Sequence, residues 1–369
     1  MNDTVTMKSL ADVCDILDSQ RIPVTARDRV KGCYPYYGAN GIQDYVDKYI
    51  FDDELVLLAE DGGNFGSKES PIAYRVSGKC WVNNHAHVLK PHDNTDVDYL
   101  CYALMFYNTE GLVNGATRQK LTQSAMKKMM IPFCDLKRQQ EIVNELNAVS
   151  HLISLRQRQA EKLDELVKAR FVEMFGGAYS EVIAEDVCER IVDCPHSTPK
   201  YDESELKYPA IRTSEIQDGQ IEWSSMKYVG VNEYERRVKR LIPEAGDIVY
   251  AREGTYGDCV ILPESHHFCL GQRTMLFRPN YKLCNSEYLH AALKSAAVKY
   301  QADMSNAGST VPHVNVSDAK RFHFPLPPLS LQNAFATFVH EIDREKECIQ
   351  RSAALLETLK RSLMQQYFG

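Results

Sequence analysis

Several short stretches carry side chains suited to recognition chemistry. Tyr34-Pro35-Tyr36-Tyr37-Gly38-Ala39-Asn40-Gly41 combines aromatics, glycine and an amide. A loop of that kind can lie along a sugar–phosphate backbone and aim amides at base edges. The same residues also suit a turn with core tyrosines. Gly115-Ala116-Thr117-Arg118-Gln119-Lys120 and Gly308-Ser309-Thr310-Val311-Pro312-His313 read as donor-rich loops. Arg118 and Lys120 suit phosphate and Gln119 suits adenine; a solvated turn is the plainer use of each.

Catalytic signatures are missing. There is no Gly-x-x-x-x-Gly-Lys-Ser/Thr, and Gly62-Gly63-Asn64-Phe65-Gly66 has the wrong spacing for a dinucleotide loop. No Asn/Asp-Pro-Pro-Tyr, Gly-x-Ser-x-Gly or His-Glu-x-x-His occurs. His85-Ala86-His87 places two imidazoles on one side of a strand, but without a nearby third ligand a hydrogen-bonded pair is expected. His266-His267 beside Cys269 reads as an ordinary loop. Cys194-Pro195-His196 has the residue types of a nucleophile and base, but sequence neighbours rarely meet in that geometry.

The elements that must position these groups are written twice. Ile131-Pro132-Phe133-Cys134-Asp135-Leu136-Lys137-Arg138-Gln139 aligns with Phe324-Pro325-Leu326-Pro327-Pro328-Leu329-Ser330-Leu331-Gln332 at an offset of 193. At that offset Leu163 and Leu166 meet Leu356 and Leu359, and Phe175-Gly176 meets Phe368-Gly369. With small drifts, the stretch from Glu54 to Gly66 matches that from Gly246 to Gly257. Tyr99-Leu100-Cys101-Tyr102-Ala103-Leu104 likewise matches Tyr288-Leu289-His290-Ala291-Ala292-Leu293. Each half has a globular part rich in Gly, Tyr and β-prone runs, then a proline-containing segment, then a long helix. The helices are expected from about Lys137 to Phe175 and Leu331 to Phe368, each about 50–58 Å long. A heptad-like stripe on each calls for a partner, and the other copy is the economical one. Leu163, Leu166, Leu356, Leu359 and Leu363 are the expected pairing residues.

The chain has 369 residues, 44% hydrophobic and 25% charged, as a globular protein of two or three domains would. Its net charge of −7 excludes a wholly basic nucleic-acid binder. It leaves room for local basic stripes between Arg118 and Arg170 and at Arg236-Arg237-Val238-Lys239-Arg240. No apolar run spans a bilayer and no secretory signal opens the chain, so a cytoplasmic location is expected. The eleven cysteines, with no Cys-x-x-Cys pair, read as reduced, mostly buried thiols.

The duplicated set resembles the specificity (S) subunit of type I restriction–modification systems over essentially the whole chain. The resemblance rests on Tyr34–Gly41, Asp193-Cys194-Pro195-His196-Ser197-Thr198-Pro199-Lys200, Asp247-Ile248-Val249-Tyr250-Ala251-Arg252-Glu253-Gly254, and the two proline segments with their glutamines. It implies an α+β fold with two target recognition domains in tandem, each followed by a long helix. The helices would pair as an antiparallel coiled coil with pseudo-twofold symmetry. The implied boundaries are 1–136 and 177–329 for the recognition domains, and 137–176 and 330–369 for the helical spacers. Each domain would read one half of a bipartite DNA site, and the helices would set the gap and dock two methyltransferase (M) subunits. Restriction (R) subunits would join this complex.

The resemblance also implies no catalysis and no cofactor on this chain. S-adenosylmethionine would sit on the M subunits, and ATP and magnesium on the R subunits. The candidates for DNA contact are Tyr36, Tyr37, Asn40, Asn64, Lys68, Thr117, Arg118, Gln119 and Lys120 in the first domain. In the second they are His196, Thr198, Lys200, Arg252, Tyr256, Arg273, Ser309, Thr310 and His313. The alternatives are an enzyme in its own right, the DNA-reading subunit of a related multisubunit restriction system, or a coiled-coil adaptor that binds no DNA.

Overall fold

The structure is a computed structural model that describes residues 5–115, 119–202, 207–305 and 313–369. It divides into two units, Met1–Gln157 with Gln350–Gly369, and Arg158–Ile349.

In the first unit a six-stranded sheet runs in the order Cys14–Ile16, Ala86–Pro91, Phe51–Ala59, Ala73–Val82, Lys31–Gly38, Gly41–Val46. Its pairs are antiparallel except Lys31–Gly38 on Ala73–Val82. The central strand shows the two-residue period directly. Val56 and Leu58 pack on one face with Leu10, Leu100 and Leu104. Leu55 and Leu57 pack on the other with Phe51, Val76 and Val88. A strand buried on both faces reads as a continuous apolar run, which is how Leu55-Val56-Leu57-Leu58-Ala59 appears in the sequence. The aromatic stretch expected as a loop is instead mostly strand: Lys31–Gly38 turns through Ala39 and Asn40 into Gly41–Val46. Gly41 carries φ +107°, the left-handed side that glycine tolerates in such a turn.

The second unit repeats the first four strands as Cys188–Asp193, Thr274–Pro279, Ile248–Ala251 and Cys259–Ile261. Its counterpart of the parallel pair is Tyr208–Ile211 on Cys269–Leu270. Ile248 and Tyr250 face one core, Val249 and Ala251 another.

Two helices of 40 residues, Leu136–Phe175 and Leu329–Phe368, match the sequence expectation to within two residues at each start. In the first unit the early residues Ile142, Leu146 and Val149 of one helix pack with the late residues Leu363, Met364 and Tyr367 of the other. In the second unit Phe171 and Phe175 pack against the early Phe335. There Asp164 also pairs with Lys346 at 2.6 Å. Within each unit the pair is therefore antiparallel. The seam differs from the expected one at two leucines. Leu363 is buried and Leu356 packs beside it, but Leu166 and Leu359 are each 46% exposed, and Leu163 is half-buried. A seven-residue step returns to within about 20° of the seam, whereas a three-residue step turns about 60° away.

Candidate nucleic-acid interface

Strand register makes the two halves comparable position by position. Ala59 lies opposite Ala86 and Ala251 opposite Thr274. Tyr37 runs beside Val82 and Ile211 beside Leu270. The connections that follow are thus equivalent: Asn83-Asn84-His85 in one half, Gly271-Gln272-Arg273 in the other. Beyond the central strand, bridges Asp61 to Lys120 and Glu253 to His313 complete the match.

A carboxylate meets a side-chain nitrogen at this corner in both units. His85 Nδ1 lies 2.5 Å from Asp61 Oδ1, and Arg273 Nε lies 3.0 Å from Glu253 Oε2. Below it sits an equivalent carboxylate, buried in Asp18 and half-buried in Asp193. Burial alone would raise the Asp18 carboxyl. Hydrogen bonds from His87 and the Val88 N–H, with the Arg21 charge, outweigh that and hold it below its ordinary value. Arg21 also bonds Glu60 at 2.7 Å. Ligand atoms of Asp18, Glu60 and His87 lie within 4.8 Å of one another. Arg21, and Lys120 at 2.9 Å from Glu60, already supply the positive charge that a metal would bring there. In the second unit Asp193 faces Arg252 at 3.4 Å. Asp193 Oδ1, Arg252 Nε and the Tyr250 hydroxyl are buried without a hydrogen bond among the described residues.

The first unit has a cleft of about 520 Å³ at this corner, lined by Thr25, Arg29, Asn40, Gln43, Asp61, Asn83, Asn84 and His85 over Tyr36. Tyr36 does not offer its face as expected. It is buried, its hydroxyl meets the Val24 backbone at 3.2 Å, and Arg29 covers its ring at 4.2 Å. Tyr37 is half-buried against Tyr74, 5.8 Å away. Asn40 is exposed at the rim, where Nδ2 donates to Gly62 O at 3.0 Å. Asn64 bonds the Pro71 carbonyl at 3.4 Å, and Lys68 is exposed. Gln119 is exposed, with its carbonyl accepting from the Gly62 N–H. Thr117 and Arg118 lie outside the described residues, as do Ser309 and Thr310.

In the second unit His196 is 77% exposed, 3.5 Å from Asp193. Thr198 accepts from Gln272 at 2.9 Å, beside Arg273. Arg273 is 63% exposed and sits at φ +65°, a conformation costly for a non-glycine residue and concentrated at functional sites. Through Gln272 and Glu253 the strand corner brings Thr198, Arg273 and His313 together. Lys200 is exposed. Arg252 points inward, with only 15% of its side chain accessible, so it does not join them. The Tyr256 hydroxyl donates to Asp303 at 2.7 Å, and Lys299 caps its ring at 3.4 Å.

The basic run 236–240 is not one patch. Arg237 is buried and donates to the carbonyls of Leu270, Ser197 and Pro195, holding the 195–197 loop in place. Only its charge is visible in the sequence, so its internal role was not. Cys194 is buried and its thiol is pushed up by burial, the opposite of an activated nucleophile.

A family model described as the type I restriction modification DNA specificity domain matches residues 2–165 and 181–358. The chain belongs to this specificity family. It is 28% identical over 365 residues to a putative type I restriction enzyme specificity subunit of Haemophilus influenzae, covering 92% of this chain and 88% of that one. The type I restriction enzyme MjaVIII specificity subunit of Methanocaldococcus jannaschii is 21% identical, covering 96% and 90%. The fold matches a type I restriction–modification S subunit from M. genitalium with TM-score 0.53, 15% identity and coverage of 100% and 97%. A chain from a structure of a type I R-M system gives TM-score 0.59, 14% identity and coverage of 100% and 98%.

As a member of the specificity family, the chain repeats its framework to the atom while changing the groups displayed. Gln139 and Gln332 are fully buried at the starts of the two long helices. Gln139 accepts from the Asp96 N–H and donates to the carbonyls of Asn94 and Cys134. Gln332 accepts from the Asn285 N–H and donates to those of Leu283 and Pro327. Asp96 and Asn285 are themselves the N-caps of Val97–Met105 and Ser286–Leu293. From those helices the Tyr99 and Tyr288 hydroxyls donate to the Pro132 and Pro325 carbonyls. Phe368 packs on Tyr99, and Phe175 on Tyr288.

Proposed function

We propose that this specificity chain reads a bipartite DNA site, one half through each globular unit, for a type I restriction–modification complex. The observation that carries this reading is the pair of equivalent corners. The same scaffold holds Asn83-Asn84-His85 in one unit and Gly271-Gln272-Arg273 in the other. A repeated frame displaying different donors suits two unlike half-sites. On this reading residues 1–136 and 177–329 are the recognition domains, and 137–176 and 330–369 are the spacers that set the gap. Asn40, Asn64, Lys68, Gln119 and Lys120 serve the first half-site. His196, Thr198, Lys200, Arg273 and His313 serve the second, with Tyr37 and Tyr256 as supports.

The chain itself catalyses nothing and carries no cofactor. Two methyltransferase subunits bind its helices and supply S-adenosylmethionine chemistry, and restriction subunits supply ATP- and magnesium-dependent cleavage. The complex acts in the cytoplasm, and no helix among the described residues is long and apolar enough to cross a membrane. The test is selection of duplexes from a random pool by the chain assembled with its methyltransferase subunits. Two short defined blocks at a fixed separation are expected. A single continuous block would contradict the split-site reading, and no enrichment would favour the adaptor reading.

A further inference from the structure

We propose that Gln43 reads an adenine in the half-site taken by the first unit, and that Asn83 is its positioning residue. This rests on the DNA-reading function above. Gln43 lies on the Gly41–Val46 strand with its side chain exposed in the cleft. It crosses Gly38 on the neighbouring strand. A Cβ there would stand 2.1 Å from Gln43 Nε2 and 2.4 Å from Cδ, so a larger residue would displace the carboxamide from this position. Asn83 is 3% exposed and donates from Nδ2 to Gln43 Oε1 at 3.0 Å.

Asn83 is itself fixed. Its Oδ1 accepts from the His85 N–H at 2.8 Å, and its own N–H donates to Tyr37 O at 3.0 Å. The carboxamide of Gln43 is therefore oriented before any ligand arrives, which lowers the entropy cost of binding. Its Nε2 has no partner among the described residues, and Oε1 keeps a second lone pair. The group thus offers one donor and one acceptor side by side. Adenine presents the complementary pair, N7 and the N6 amino group, in the major groove; guanine presents two acceptors there and satisfies only the donor. The second unit has Gly271 where the first has Asn83, so this device serves one half-site only.

The experiment is the same duplex selection, run with the full chain in its methyltransferase complex. Gln43→Ala is expected to lower the preference for adenine at one position of one half-site by roughly 5- to 150-fold. Gln43→Glu, which can only accept, should move that position towards cytosine. Gly38→Ala and Asn83→Ala should blur the same position and no other, a readout that general loss of stability would not give. If Gln43→Ala selects the unchanged site, or weakens binding equally for every sequence, the assignment is overturned. If the unmodified complex selects no split site, the functional reading fails and this one falls with it.

Discussion

At the scale of single residues, the groups that repeat are those that build the frame, and the groups that differ are those that face outward. Gln139 and Gln332 stood out in the sequence as matching letters after a proline segment. That each would satisfy three backbone groups at a helix start was not legible, because two of the three partners lie 43 to 49 residues away. Tyr36 was misleading for a related reason: alternation along its strand turns it inward. Replacing Gln139 with Met keeps its bulk but leaves the Asp96 N–H and two carbonyls unmet. We expect a loss of about 1–3 kcal/mol in thermal unfolding, and the same for Gln332→Met.

His290 gives a pH-dependent test. Burial, then the Lys294 charge, lowers its imidazole from 6.5 to about 4, and its Nε2 lies 2.8 Å from the Cys259 carbonyl. The folded state thus resists a proton that the unfolded chain accepts. Its contribution is complete above pH 6.5 and is lost as the pH falls towards 4, by on the order of 3 kcal/mol. Urea titrations across that range should show the slope, and His290→Gln should flatten it.

At the scale of elements, the long helices were the most legible feature, since forty residues without an internal proline or glycine leave few alternatives. Which leucines meet was less legible, because threes, fours and sevens all suit a stripe. The structure separates them. Leu363→Glu would bury an unpaired charge against Ile142 and Leu146 and should cost about 3 kcal/mol or more. Leu359→Glu, on the open side, should change stability by less than about 0.5 kcal/mol. Equal effects from the two substitutions in a thermal melt would mean that the seam is misplaced. The loops were harder to read than the helices. The basic run 236–240 divides between a buried clamp, Arg237, and exposed charge, a split that charge counting cannot anticipate.

At the scale of the whole molecule, two units built on one frame share two long helices. The duplication carried most of this in the sequence; the acidic total charge argued weakly the other way, since it averages over surfaces with separate tasks. Strand register aligns position 85 with position 273 and so pairs the residues displayed at the two corners. We propose that this chain chooses the DNA sites that its complex modifies. The most direct measurement is a map of genomic adenine methylation in cells making the methyltransferase subunits, with and without this chain. Without the chain, loss of one split motif, two unlike half-sites around a fixed gap, is expected. The same methylated motifs in both cells would contradict it.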